Sequence, residues 1–488
     1  VPNVERRPMK RLNGLDAMLV YSETPQIHTH TIKLGIFDVS GLRNGYSFES
    51  FRRVMAARML GLAPMRYRLV DIPFKFHHPM WQENALTDTY DHISRVIVAP
   101  PGGRRQLDDL VGEIAAVQLP RDRPLWHLYV AEGLAGNRLA VILKMHHALA
   151  DGVASANLIT AALQAPEALE QVGQTLRPDV VPSRRELLRD ALYDHLRQLT
   201  QTPKLAGQTA LGVSRVFLRS RARRKQPVPE RPLTPPPCFL NHVVTPQRRF
   251  ATTSLALPEV KSTCKTHGVT INDVVLAMTA GALRTLLLKY DGRADSPLIA
   301  GVPVSLDKSP GRLSGNAFGY MLPPLPVHIA DPAERLALTA MASRNAKENF
   351  RLSGPTLLAS WLEYLPPPLS PAMFRWQSRR LTSGTVMNLT VSNVPGPRET
   401  TSVDGAEITE IYSVGPLAAA SGMNVTVWSY LDQLNISVLT DDITIDDPHE
   451  MTDAMLDSFR EIRALKAVPG QTTGVALPTD NTPDMAAG

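Results

Sequence analysis

Residues 226–237 read QPVPERPLTPPP, six prolines in twelve positions. Each proline lacks a backbone N–H and has a fixed φ, so neither a helix nor a central strand can run through such a stretch. A segment of this kind acts as an extended spacer. It cuts the 488-residue chain near its middle, and each side is long enough to bury a core of its own. Two folding units are therefore expected, residues 1–182 and 248–468, joined by a helical, basic and proline-rich crossover at 183–247. Residues 469–488 are expected to form a disordered tail. Apolar residues make up 43% of the chain and charged residues 20%, which excludes wholesale disorder.

Both halves mix strand and helix signals. In the first, His30–Phe37, Ser94–Ala99, Leu125–Glu132 and Arg138–Met145 have strand character. Phe48–Leu60, Leu107–Val117 and Val153–Leu163 space their apolar residues helically. In the second, strands are expected at Ala251–Pro258, Ala300–Ser305, Met387–Val394, Met423–Leu431 and Leu434–Leu439. A short helix at Val260–Thr266 is closed by Gly268, and a long one is capped by Thr270, favoured by Asp273 and runs to Tyr290. That long helix is apolar nearly all round, so it should be buried. Another helix starts at Asp331-Pro332. The alternation predicts an α/β fold with two units packed side by side.

Basic residues exceed acidic ones by 52 − 46 = 6. Arg215, Arg219, Arg221, Arg223, Arg224 and Lys225 form one stretch with no acid among them and equal the whole excess. The positive charge is thus local and says little about nucleic acid, and no nucleic-acid partner is expected. It fits either contact with anionic lipid headgroups or a solvated linker. Two cysteines, Cys238 and Cys264, cannot build a disulfide framework or a Cys-rich metal site. No uninterrupted apolar run of ~18 residues and no secretory signal is seen. A cytoplasmic protein is expected, with at most peripheral attachment to a membrane or lipid inclusion.

The strongest chemical signal is Met145-His146-His147-Ala148-Leu149-Ala150-Asp151-Gly152, between an apolar strand and a helix. A histidine at a strand end is held rigidly, and its ordinary pKa suits a general base. Asp151 can fix the turn through hydrogen bonds or an arginine without itself taking a proton, and Gly152 permits a tight backbone as the helix begins. Two ordinary histidines on a turn would give the same text. A metal site is disfavoured, because neighbouring rings on a strand point to opposite faces and a second pair of ligands is missing. GxSxG, GxxxxGK[ST], HExxH and CxxC motifs are all absent. What remains is direct transfer: a base deprotonates a bound acceptor, which attacks an activated acyl group.

His146 to Gly152 matches an HHxxxDG signature, and the chain resembles the bacterial wax ester synthase/acyl-CoA:diacylglycerol acyltransferase family. Supporting text is Pro124-Leu125-Trp126 with Glu132-Gly133-Leu134, Asn272–Ala277 with Gly281-Ala282-Leu283-Arg284, Val302-Pro303-Val304-Ser305, Gly315-Asn316, Ser392–Pro397 and the opening run Leu12–Glu23. Departures are Thr29-His30-Thr31-Ile32 in place of an MHxG-like segment, His127 where an acidic residue is common, and a strand beginning at Tyr412 without the usual proline.

The resemblance implies two pseudo-symmetric α/β domains like chloramphenicol acetyltransferase, with an active-site tunnel between them. His147 would be the base, Asp151 structural and His146 a supporting neighbour, with Gly152 at the substrate. Asn272, Ser392 and Asn393 would shape the substrate and oxyanion region, although Asn272 can simply cap its helix and Ser392–Pro397 can simply be a tight turn. The co-substrate would be acyl-CoA, with no resident cofactor and no metal. Diacylglycerol as acceptor gives triacylglycerol without an acyl-enzyme; a fatty alcohol gives a wax ester. A carrier-protein thioester as donor and an inactive lipid-binding relative are the competing readings.

Overall fold

A computed structural model of the chain describes residues 9–42, 45–85, 87–164, 179–223, 235–382 and 386–466. The expected tail and most of the proline-rich spacer lie outside the described residues.

Two mixed sheets carry the described fold. The first has the strand order Ser402–Val403, Ala406–Val414, His30–Asp38, Arg138–His146, Trp126–Leu134 and Ile93–Ile97. The second runs Phe318–Met321, Leu298–Ser305, Leu389–Pro395, Met423–Tyr430, Gln433–Thr440 and Arg249–Ala256. A small third sheet joins Lys10–Arg11, Met80–Gln82 and Arg68–Val70.

The central strands of the first sheet are buried on both faces, which is why their text is almost continuously apolar. Ile32, Leu34, Ile36, Ala140 and Ile142 pack on Leu107, Val111 and Ile114 of the helix Arg104–Ala116. Phe37, Val141, Leu143 and Met145 belong to a different core, one that includes Trp428 and Tyr430 of the second sheet. The second sheet buries its other side against the helix Ile271–Tyr290. Thr270 and Asp273 cap that helix reciprocally, Thr270 Oγ1 accepting from Asp273 N at 3.2 Å and Asp273 Oδ2 from Thr270 N at 3.0 Å. Gly268 ends the preceding helix, Leu257–His267, at φ 63°, a left-handed conformation that favours glycine.

The halves interlock. The strand Ala406–Val414 leaves the second half and pairs antiparallel with His30–Asp38, from Val414↔Ile32 to Glu407↔Asp38. Sequence reading starts this strand at Tyr412; it begins six residues earlier because AEITEI alternates on an interior sheet position. In return, Asp108 of the helix Arg104–Ala116 accepts hydrogen bonds from Thr252 N and Oγ1, each at 2.9 Å. The crossover is one helix of 39 residues, Arg184–Ala222, opened by a Ser183–Glu186 capping box. At 1.5 Å per residue it spans roughly 58 Å.

Candidate active site

The turn after the strand Arg138–His146 carries His147. The ladder with His30–Asp38 continues one step past the strand, His147 N donating to Thr29 O at 2.8 Å. Successive side chains therefore leave opposite faces. His146 points to the helix side and His147 to the face that meets the second half, where its ring lies 5.9 Å from that of Phe318. The two rings cannot close on one ion.

Their tautomers differ as well. Nδ1 of His146 accepts from Ala148 N at 3.1 Å, so its proton sits on Nε2, 2.9 Å from Thr29 Oγ1. Behind it Glu23 pairs with Arg121, and its Oε1 lies 2.9 Å from His30 Nε2. Burial would raise the Glu23 carboxyl, but the neighbouring His146 and His30 rings outweigh it and hold the carboxyl well below the usual range. His146 is thus an anchor on the far side of the sheet.

His147 has the reverse arrangement. Its Nδ1 is 3.0 Å from Asn316 Oδ1. The Asn316 amide is oriented by two acceptors of its Nδ2, Asp16 Oδ1 at 2.7 Å and His147 O at 2.8 Å. With Oδ1 as acceptor, Nδ1 of His147 carries the proton and Nε2 keeps its lone pair. Burial, then the nearby Lys33 cation, pull the His147 pKa down to about 4, so the imidazole is neutral at pH 7.

Asp151 is saturated. Arg312 Nη2 donates to both carboxylate oxygens at 2.8 and 2.9 Å, Ala317 N donates at 2.9 Å, and Ala154 N at the start of the helix Gly152–Gln164 donates at 3.0 Å. The carboxylate holds the His147 turn to the 307–317 loop of the second half. The loop is also bound through its backbone, Gly315 N to Leu149 O at 2.7 Å. A β-carbon on Gly152 would come within 3.0 Å of a Val394 methyl, so glycine is there for close approach between the halves.

His146, His147, Asp151 and Gly152 are thus brought together, with Val394 of the Ser392–Pro397 stretch beside them. Ser392 and Asn393 lie half-buried inside the strand Leu389–Pro395, not in a turn. Asn272 is the second residue of its helix and half-buried. Among the described residues, no hydrogen bond joins these three side chains to His147. Trp126 is core, its Nε1 donating to Met65 O at 2.7 Å.

Sequence reasoning quoted Asn316 only within a motif and gave no role to Asp16 or Arg312; Asn316 meets His147 across 169 residues, Arg312 meets Asp151 across 161, and Asp16 meets Asn316 across 300. It also missed Lys33. This buried ammonium donates to Ser413 Oγ at 2.6 Å and sits 4.9 Å from the centre of the Trp428 ring, with burial pulling its pKa down to about 7. A lysine inside the apolar run HTIKLGIF is the one local signal that pointed there.

The wax ester synthase/diacylglycerol acyltransferase catalytic domain pattern matches residues 12–275, and the C-terminal domain pattern of the same family matches residues 314–463. "Putative diacyglycerol O-acyltransferase Rv0221" of Mycobacterium tuberculosis is 51% identical over 467 residues, 96% of this chain and 98% of its own length. A second M. tuberculosis protein of the same description, Rv3087, is 33% identical over 96% of this chain and all of its own length. Among solved structures, the wax ester synthase/diacylglycerol acyltransferase from Marinobacter aquaeolei superposes with a TM-score of 0.64 at 25% identity, covering 93% of this chain and 98% of that one. The first condensation domain of the calcium-dependent antibiotic synthetase shares the two-domain fold, with a TM-score of 0.55 at 14% identity over 95% of this chain and 98% of its own. The chain belongs to the wax ester synthase/diacylglycerol acyltransferase family, a family of acyltransferases.

Proposed function

We propose that this chain moves a long-chain acyl group from acyl-CoA to the free hydroxyl of diacylglycerol, giving triacylglycerol and CoA in one direct step. The observation that carries the reading is the His147–Asn316 contact, which leaves Nε2 of a neutral imidazole as the proton acceptor. Nε2 takes the hydroxyl proton as the hydroxyl oxygen attacks the thioester carbonyl. The tetrahedral adduct expels the CoA sulfur, which receives the proton back from His147. An acceptor hydroxyl has a pKa far above 7, so a positioned base is worth about 10²–10⁴-fold. The remainder comes from holding the two substrates together and from donors to the oxyanion. Lys33 lies on the same face of the sheet as His147 and, with burial pulling its pKa down to about 7, carries a partial positive charge at neutral pH. The scheme needs no resident cofactor and no covalent acyl-enzyme.

The acceptor is water-insoluble, and the long crossover helix offers a surface for reaching it. Leu192, Leu196 and Leu199 repeat at i, i+4, i+7 and are 52%, 55% and 68% exposed; Phe74, 89% exposed, stands on a loop that abuts this helix through the Phe76–His195 contact. Such a stripe suits a membrane or lipid-inclusion surface. The basic cluster contributes less than its count suggests. Arg219 and Arg223 are both paired with Glu348, and Arg224 and Lys225 lie outside the described residues.

The purified protein, given acyl-CoA with diacylglycerol and a fatty alcohol in competition, is expected to yield triacylglycerol as its main product once the lipids are separated. Predominant wax ester would reassign the acceptor. No ester from acyl-CoA, with product from a carrier-protein thioester, would overturn the reading.

A further inference from the structure

We propose that Asn316 and Asp16 act as a positioning pair that selects the catalytic tautomer of His147. The inference rests on His147 being the base.

Asp16 lies in the first turn of the helix Gly14–Ser22, where Asn13 caps by accepting from Asp16 N at 2.8 Å. Its Oδ1 accepts from the backbone N of Asn316 at 3.0 Å and from Nδ2 at 2.7 Å. This bidentate grip fixes which way the amide faces. Were the amide flipped, Oδ1 would face the Asp16 carboxylate and the His147 carbonyl, two acceptor–acceptor contacts in a buried site, and Nδ2 would donate to Nδ1 and favour the unproductive Nε2–H tautomer. Asp16 and Asn316 are each only 4% exposed, so water cannot replace a lost partner cheaply. The Asp16 carboxyl is pushed up to about 7, chiefly by burial, with its Asn316 bonds acting the other way.

The chain of contacts therefore runs Asp16 to Asn316 to His147 Nδ1. Asn316 does not touch the reacting atoms. It keeps the proton on Nδ1, so that the lone pair sits on Nε2. Without Asn316 Oδ1 the ring keeps, among the described residues, only the His147 backbone as a partner, the neutral imidazole can more readily place its proton on Nε2, and the Nε2–H form cannot act as a base. This is a different task from that of Asp151, whose carboxylate is fully used by Arg312 and two backbone N–H groups. The 307–317 loop thus delivers two things to the first half: Arg312 for the turn and Asn316 for the ring.

The test is steady-state kinetics on Asn316→Ala, Asp16→Asn and the exchange Asp16→Asn/Asn316→Asp, with His147→Ala and thermal unfolding in parallel. Asn316→Ala is expected to lower kcat on the order of 10²-fold, a base-sized loss, while KM hardly changes. Asp16→Asn alone is expected to lose part of kcat, since its amide can donate where an acceptor is needed. The exchange puts a carboxylate on Nδ1 and an amide in place of Asp16. It is expected to recover activity relative to Asn316→Ala and to move the acidic limb of the kcat/KM profile to higher pH, because a carboxylate favours the imidazolium. Full kcat in folded Asn316→Ala, or an exchange variant with an unmoved acidic limb, would overturn the pair. If His147→Ala itself keeps wild-type turnover, the base assignment fails first.

Discussion

Asp151 makes four charged hydrogen bonds inside the junction and faces no open space, with a residue exposure of 4%. Asp151→Asn keeps the shape but leaves Arg312 with Asp307 as its remaining carboxylate, 3.4 Å away. The expected cost is on the order of 1.5–3 kcal/mol of stability, read as a lower denaturant midpoint with activity lost in proportion. A variant of unchanged stability but no turnover would give Asp151 a direct chemical role. At this scale the place of the candidate site was legible: a strand-end HH pair, with Asp and Gly at fixed spacing, marked the turn that the structure sets at the junction of the halves. The roles of Asp16, Asn316 and Arg312 were not, because their meaning arises from contacts across 160 to 300 residues. Nothing local in RLSGNA distinguishes an amide that orients a histidine from one that closes a turn.

The elements followed from local rules where those rules dominate. Cap residues, period and turn chemistry located the helices Phe48–Gly61, Arg104–Ala116 and Ile271–Tyr290 within a few residues. Strands of two or three residues, such as Lys10–Arg11 and Met80–Gln82, are too short to show a period and exist only through their partners. The crossover helix was foreseen as helical and basic, but its exposed leucine stripe emerges only once its buried face is known. Leu187, Ala191, Leu205 and Gly212 face inward, leaving Leu192, Leu196 and Leu199 outward. Replacing those three leucines by glutamine is expected to weaken association with lipid vesicles on the order of tenfold or more, in a flotation assay, while thermal stability holds. Unaltered flotation would show that the stripe does not meet lipid.

Across the whole molecule, buried histidines set the response to pH. His28, His78, His127 and His147 are held at about 4 and His30 and His77 at about 3, in each case first by burial. The unfolded chain takes up these protons near the ordinary imidazole value of about 6.5, well before the folded one does. Stability must therefore fall as pH drops through that window. Asp16, raised to about 7, opposes the trend because it is protonated first in the folded state. Lys33 and Lys144, lowered to about 7, continue the rise of stability above neutrality, since the folded state releases protons that the unfolded state keeps. Asp108 and Glu363, also raised by burial, and His242 and His449, raised against burial by their aspartate partners, act in the same sense as Asp16. With His92 and His328 lowered as well, eight histidines stand against these five groups, and the balance predicts a melting temperature that climbs from pH 5 to pH 8 in scanning calorimetry; a flat or falling profile would contradict it. The interlocking of the halves belongs to this scale too. A proline-rich break announced two units, but a strand of the second half completing the first sheet is a matter of topology, written in no local pattern.

The most direct measurement is the rate of CoA release from acyl-CoA in the presence of diacylglycerol, for the wild type and for His147→Ala of matched thermal stability. Loss of the base predicts a rate about 10²–10⁴-fold lower with the unfolding transition in place. Turnover within a few-fold of wild type in a folded His147→Ala protein would contradict the assignment of His147 as the base of direct acyl transfer.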